Sequence, residues 1–287
     1  MDIKLIGKTF KELRLAKGIS QSSIVSVSLS QPALSRFEAG KSSLAVDKFF
    51  SALENASITP EEFYRYAQLK QNTKNPLYTA DIVLAQIASN SEKMKKFIKL
   101  EEERFAEEGT SIDRLMLIYS KTLLELVSRE KIVTHADINY AFNYLLSINN
   151  WSRIEIRLAS AFVNIFSDQQ LSSFIDVLFK RTRLFCKDVI TQEKFYELIH
   201  NLLDCLVQRK RFAEADRVIK KINLDEIPDL MTLPKLFLIF NKSLVAFYQG
   251  NQQALANMEE IYEFCERFGF KQFAQAFKVD IESCKKT

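Results

Sequence analysis

The stretch from Gly18 to Lys41, GISQSSIVSVSLSQPALSRFEAGK, constrains this chain more than any other. It reads as a helix, a tight turn and a second helix with one apolar and one polar face. In the second helix Ser30 is an N-cap, Gln31 and Pro32 fill the first turn, and Gly40 stands where a left-handed C-terminal residue belongs. At about 100° per residue Ala33, Leu34 and Phe37 share one arc, while Gln31, Pro32, Ser35 and Arg36 fall within about 140° on the other. Gln pairs bidentately with adenine and Arg with guanine, so an outward Gln and Arg little more than a turn apart suit a major groove. Ser30, Lys41, Ser42 and Ser43 flank the helix at positions suited to phosphates, which orient it without reading sequence. An ordinary surface helix has the same polar outline, and the flanking segments decide between the two.

Upstream, Ile6, Phe10 and Leu13 recur at helical spacing before Gly18, and Ser20 caps a short helix beginning at Gln21. Gln21 then sits at a helix N-terminus, where its side chain and the free backbone N–H groups can hold a phosphate. Downstream, Val46, Phe49, Phe50 and Leu53 form an apolar stripe, and Thr59-Pro60-Glu61-Glu62 is a capping box that opens a fifth helix through Phe63 and Tyr66. This succession, R-x-x-x-G-x-S-Q, then S-x-x-x-L-S-R-F-E-x-G-K, then I-T-x-E-E-F, resembles the helix-turn-helix of the Xre and phage-repressor family. The resemblance implies a pairing of Arg14 with Glu38 that is structural and not base-reading. The segment departs from the family pattern in its second helix and turn, Gln21-Ser22-Ser23-Ile24-Val25 and Ser26-Val27-Ser28-Leu29.

Composition extends the helical expectation to the rest of the chain. Its 287 residues contain only 6 Gly and 5 Pro, well below the usual ~7% and ~5%, which leaves little material for the turns of a sheet. The fold class expected is all-α: a five-helix helix-turn-helix domain over residues 1–67, a polar linker at 68–76 (QLKQNTKNP), and a helical-repeat domain over 77–287. Helical spacing runs from Thr79 through Glu92–Glu108, Ile112–Arg129, Thr134–Ile148, Arg153–Phe166 and onward to Cys284. Two hairpins, turning near Arg211 and Gly250, pair a long apolar helix with a shorter amphipathic one. Their spacing approximates the 34-residue tetratricopeptide period, so an α-solenoid of tetratricopeptide-like hairpins is expected, with a concave side that can take a peptide.

Net charge is +4 overall, and residues 1–66 hold nine Lys/Arg against seven Asp/Glu. Such a weak excess points to two copies engaging paired half-sites, and hence to a homodimer on an inverted-repeat operator. The most apolar stretch, Leu233 to Tyr248, is interrupted by Pro234, Lys235, Asn241 and Lys242, and no signal peptide opens the chain, so a cytoplasmic protein without membrane contact is expected. Cys186, Cys205, Cys265 and Cys284 form no C-x-x-C pair and are read as reduced packing residues. His135 and His200 are too few and too separated for a His-based metal site, and no cofactor is expected. No dinucleotide, P-loop, zincin or hydrolase motif is present, which argues against an enzyme.

The segment YLLSINNWSRIEIRLASAFVNIF, together with LSRFEAGKS near the start and an F-x-x-x-F-G-like stretch at Phe264 to Phe270, is similar to the Rgg (MutR, GadR) family of transcriptional regulators. That resemblance covers nearly the whole chain. It implies a cytoplasmic, dimeric regulator of Gram-positive bacteria whose repeats commonly bind a short secreted and reimported signalling peptide. Trp151 is read as a buried anchor at a helix-pair junction. Arg153 and Arg157, spaced i,i+4, could clamp a peptide carboxylate, and Asn164, projected onto the same face, could bond peptide backbone; a solvated outer face is the competing reading. The competing function is a peptide- or protein-binding adaptor without ligand-switched DNA binding.

Overall fold

A computed structural model describes residues 2–71, 90–184 and 186–286, and the chain divides into two compact units, Met1–Thr79 and Ala80–Thr287. The first unit holds α1 (Ile3–Ala16), α2 (Gln21–Ile24), α3 (Gln31–Glu38), α4 (Val46–Asn55) and α5 (Pro60–Gln71). Its core is built from one apolar stripe per helix: Phe10, Ile24, Leu34, Phe37, Leu53 and Phe63 are buried, and Phe49 lies edge-on to Phe37 at 5.8 Å and to Phe63 at 5.0 Å. The capping box at α5 is formed, with Thr59 N donating to Glu62 Oε2 at 2.8 Å and Glu62 N to Thr59 Oγ1 at 3.1 Å. These bonds hold the Glu62 carboxyl below its ordinary value. Because α5 runs to Gln71, residues 68–71 of the expected linker are helical, while its remainder and nearly all of the helix expected at Thr79–Asn90 lie outside the described residues.

In the second unit ten α-helices are described: α6 (Ser91–Glu108), α7 (Ser111–Ser128), α8 (His135–Ser147), α9 (Arg153–Phe162), α10 (Asp168–Thr182), α11 (Val189–Gln208), α12 (Phe212–Ile219), α13 (Thr232–Tyr248), α14 (Ala254–Arg267) and α15 (Lys271–Lys285). Sequence neighbours pack as hairpins, and α7, α9, α11, α13 and α15 also touch in succession, giving one continuous layer with the even-numbered helices alternating behind it. Each hairpin thus closes its apolar face only against the next, which is the logic of a solenoid. The stretch Asp229–Tyr248 is long and apolar enough to cross a bilayer, but α13 uses that apolarity against α11, α12, α14 and α15.

Caps define most of these helices. Asn90, Thr110, Thr134, Ser152, Ser167 and Asp188 each accept a backbone N–H of the helix they precede. One expected boundary is corrected: α9 ends at Phe162, a turn short of Phe166, because Ser167 and Gln170 form the capping box of α10 and Arg209 takes the carbonyls left over. Arg209 Nη1 donates to Phe166 O at 2.6 Å and Nη2 to Asn164 O at 3.0 Å. An arginine more than forty residues downstream therefore stops this helix, a partner that no local pattern announces.

Candidate functional site

The Gly18–Lys41 segment folds as the sequence suggests, with α2 and α3 joined by a turn in which Ser26 and Leu29 exchange backbone hydrogen bonds at 3.1 Å each way. Leu34 and Phe37 of α3 are buried, Ala33 is half-buried, and Gln31, Pro32, Ser35 and Arg36 are exposed. Two glycines make this placement possible. A Cβ on Gly7 would lie 1.9 Å from the Phe37 carbonyl oxygen, so α1 and α3 meet backbone to backbone. Gly40 has φ +70°, and a Cβ there would lie 2.7 Å from Lys4 Cα.

Electrostatics then pins the C-terminal end of α3. Arg14 on α1 is 4% exposed and Glu38 is 2% exposed. Their side chains meet as a fork, Nε to Oε1 at 2.6 Å and Nη2 to Oε2 at 2.8 Å, while Arg14 Nη1 donates to the Ile19 carbonyl at 2.5 Å. A buried pair survives only with its remaining bonding capacity filled, and here Gln21 Nε2 completes it, donating to Glu38 Oε2 at 2.8 Å. This revises the role expected of Gln21. One of its two amide hydrogens is engaged by Glu38, so a phosphate would meet only the second hydrogen and the backbone N–H groups of α2. Ser30 also departs from expectation: it has the extended backbone of an N-cap but makes no side-chain cap bond. Pro32 at the second helical position has no N–H to offer, and the Ser30 hydroxyl is left facing outward. Lys41 is exposed and Ser42 half-exposed just beyond the helix.

In the second unit Trp151 is fully buried, its Nε1 donating to Leu145 O at 3.0 Å and its ring stacked on Phe174 at 5.3 Å. It ties α8 to α10 and sets where α9 begins. Glu155 completes this junction, its Oε2 accepting the Ser152 N–H at 2.9 Å and its Oε1 the Tyr144 hydroxyl at 2.8 Å. Burial, followed by that bond to a carboxylate, drives the Tyr144 phenol far above its usual value.

On α9 Arg153 is exposed and Arg157 half-buried, and neither stands alone. Arg153 approaches Asp188 at 3.8 Å, and Arg157 lies with its guanidinium carbon 5.0 Å from the centre of the Tyr119 ring and its Nε 3.4 Å from the Tyr119 hydroxyl. Asn164 is corrected: it lies in the turn after α9, not on the helix, and its Nδ2 bonds the Ala161 carbonyl at 3.1 Å. The helical projection that put it beside Arg153 does not apply past Phe162. The side chain that follows Arg157 on the strip is instead Ser160, whose hydroxyl and carbonyl oxygens accept from Asn201 Nδ2 of α11 at 2.8 and 3.2 Å.

Cys205, Cys265 and Cys284 are buried, and burial raises all three thiols; Cys186, half-buried, is pushed up to about 11 by burial and then by the charge of Asp188. Such thiols are protonated and poor nucleophiles. His135 opens α8, and the half-buried His200 bonds Asn241.

A family model described as "HTH-type transcriptional regulator Rgg, C-terminal domain" matches residues 95–279. Among solved structures the chain is similar to the SHP pheromone receptor Rgg2 of Streptococcus dysgalactiae, with 18% identity, a TM-score of 0.76 and coverage of 97% of this chain and 99% of that one. It is also similar to a candidate transcriptional regulator from Listeria monocytogenes EGD-e, with 15% identity, TM-score 0.79 and coverage of 99% and 98%. A third similar structure is the PrgX/iCF10 complex, with 14% identity, TM-score 0.65 and coverage of 98% and 96%. At these identities the likeness of the structures establishes the fold.

Proposed function

The chain belongs to the Rgg family of HTH-type transcriptional regulators, and from that premise we propose that it binds double-stranded DNA as a homodimer under the control of a short signalling peptide. The family is one of regulators and not of enzymes. The observation that carries DNA binding is the outward face of α3, Gln31, Pro32, Ser35 and Arg36, held by the buried Arg14–Glu38–Gln21 network. Arg36 and Gln31 read base edges in the major groove, while Ser30, Gln21, Lys41 and Ser42 meet phosphates. Residues 1–67 act as the DNA-binding domain and 77–287 as the sensing and dimerising domain, working inside the cell. Two such domains engage an inverted repeat with half-sites about 34 Å apart or a multiple of one DNA turn.

Support for the peptide comes from the relatives, a pheromone receptor and a complex with iCF10. We assign the groove to the free face of the layer formed by α7, α9, α11, α13 and α15, which touch in succession, because the concave side of stacked helical hairpins is a common binding surface. Arg153 and Arg157 offer charge-assisted bonds to a peptide carboxylate at the α9 end, with Asn164 at the turn beyond.

Electrophoretic mobility shift with DNA from the neighbouring promoter tests the first half. Arg36→Ala should cost about 1–3 kcal/mol and relax preference at one base pair per half-site, whereas Lys41→Ala should weaken all sequences alike and lower the salt slope by about one ion. Unchanged discrimination in the Arg36 variant removes base reading by that residue. Absence of any DNA binding leaves the repeat-domain adaptor as the better reading.

A further inference from the structure

The turn that delivers α3 carries a residue that turn chemistry does not call for. Residues 26–29 form a two-residue turn closed by the reciprocal Ser26–Leu29 backbone bonds and by a hydrogen bond between the Ser26 and Ser28 hydroxyls at 3.1 Å. Such positions favour glycine, proline, asparagine, aspartate and serine. Ser26 and Ser28 follow that rule, whereas Val27 between them is β-branched and apolar. Its side chain is fully exposed, more so than any other large apolar residue among the described ones. Single exposed apolar residues are ordinary on protein surfaces, so its position decides whether this one matters.

That position is fixed from both sides. Ile24 and Leu29 are buried in the core of the first unit, and Asn55 Nδ2 of α4 donates to the Ile24 carbonyl at 3.1 Å, so the ends of the turn are anchored inward. Val27, at the tip, is directed away from that core, as are Gln31, Pro32, Ser35 and Arg36 on α3. Only Ser28, Leu29 and Ser30 separate it from Gln31. The N-terminal end of a recognition helix is the part that meets base edges, so a tip immediately before it arrives at the edge of the same groove. A valine on a closed turn has little rotamer freedom to lose on contact. Among the groups that base pairs present in the major groove, the C5-methyl of thymine is the apolar one. A residue that breaks a local rule without a packing gain is expected where function requires it.

We propose that Val27 packs against the C5-methyl of one thymine in each half-site and makes the protein select thymine there. The proposal rests on the DNA-binding reading above and deepens it. Gln31 and Arg36 select by hydrogen bonds, whereas Val27 selects by covering a methyl group. Cytosine at that position offers no methyl and brings an N4 donor that valine cannot satisfy, so it is disfavoured twice.

Uracil pairs as thymine does and lacks only that methyl, which makes it the probe. Mobility shift of the full chain on the neighbouring promoter fragment, with uracil replacing one thymine at a time, locates every methyl that contributes. At one position per half-site a single uracil should weaken binding by the unaltered chain about fourfold, the worth of one buried methyl group. Val27→Ser should bind the thymine DNA about fourfold more weakly per half-site and be indifferent to uracil at that position. Val27→Thr, which keeps one methyl, should retain part of the sensitivity. Uracil without effect on the unaltered chain at every position overturns the proposal. So does a uracil penalty that Val27→Ser keeps in full, which assigns the methyl contact to α3 itself. If the unaltered chain binds no DNA, the DNA-binding reading falls and the proposal with it. Should Val27→Ser misfold, Val27→Thr carries the comparison.

Discussion

Replacing Glu38 by Ala tests the reasoning that places the recognition helix. The change removes both acceptors of the Arg14 fork and the partner of Gln21, and leaves a guanidinium 4% exposed with one remaining bond, to the Ile19 carbonyl. Breaking a buried pair from one side costs about 3–5 kcal/mol, because the surviving charge stays buried without compensation. A unit of this size has about 4–10 kcal/mol of stability in all. The loss is then about half of what holds α3 against α1, and with a urea dependence near 1 kcal/mol per molar the midpoint of that unit falls by about 3 M or more. The chain supplies its own control. Its one tryptophan, Trp151, is buried in the second unit and reports on the repeats alone, whereas far-ultraviolet circular dichroism reports on both units. The variant should lower the dichroism transition of the first unit, leave the Trp151 transition in place and abolish DNA binding. Apolar replacement of both Arg14 and Glu38 should recover most of the stability, since it removes the orphaned charge. A shift below about 1 kcal/mol in Glu38→Ala, or an equal shift of the Trp151 transition, refutes the argument.

Gly7→Ala should destabilise the first unit by about 1–3 kcal/mol, because its methyl lands on the Phe37 carbonyl and α1 must move away from α3; unchanged dichroism melting would show that the two backbones are free to part. Arg209→Ala should cost about 1–3 kcal/mol in the Trp151 transition by releasing the carbonyls of Asn164 and Phe166, and retention of the midpoint would mean that water replaces the guanidinium without loss. Asp280→Asn should stabilise the second unit at pH 7. The Asp280 carboxyl is raised from 3.8 to about 6, so its protonated form adds stability that is complete below about pH 4 and lost as pH rises through 6. The gain from Asp280→Asn, about 1–3 kcal/mol at pH 7, should shrink on acidification and vanish near pH 4; a gain independent of pH would assign it to packing.

What the sequence determined by itself is what local periodicity and capping determine. Scarcity of glycine and proline, apolar stripes at helical spacing, and caps such as Thr59 with Glu62 or Thr134 act within a few residues, so the helices and the outward face of α3 were legible before any coordinates. Arg14 with Glu38 was legible too, because the resemblance implied that pair. Tertiary structure alone decided the rest, since the deciding partners lie tens of residues away. Gly7 looks like an ordinary mid-helix residue until the Phe37 carbonyl is seen against it. Ser30 lost its cap bond, and part of Gln21 was claimed by Glu38. Asn164 left the Arg153 face because Ser167, Gln170 and Arg209 end α9 early. His200 and Asn241, on two different helices, carry no shared spacing; only the stacking of those helices in one layer makes them partners. A helix announces its own face because every third or fourth residue repeats along it, but which faces meet is set by packing over the whole chain.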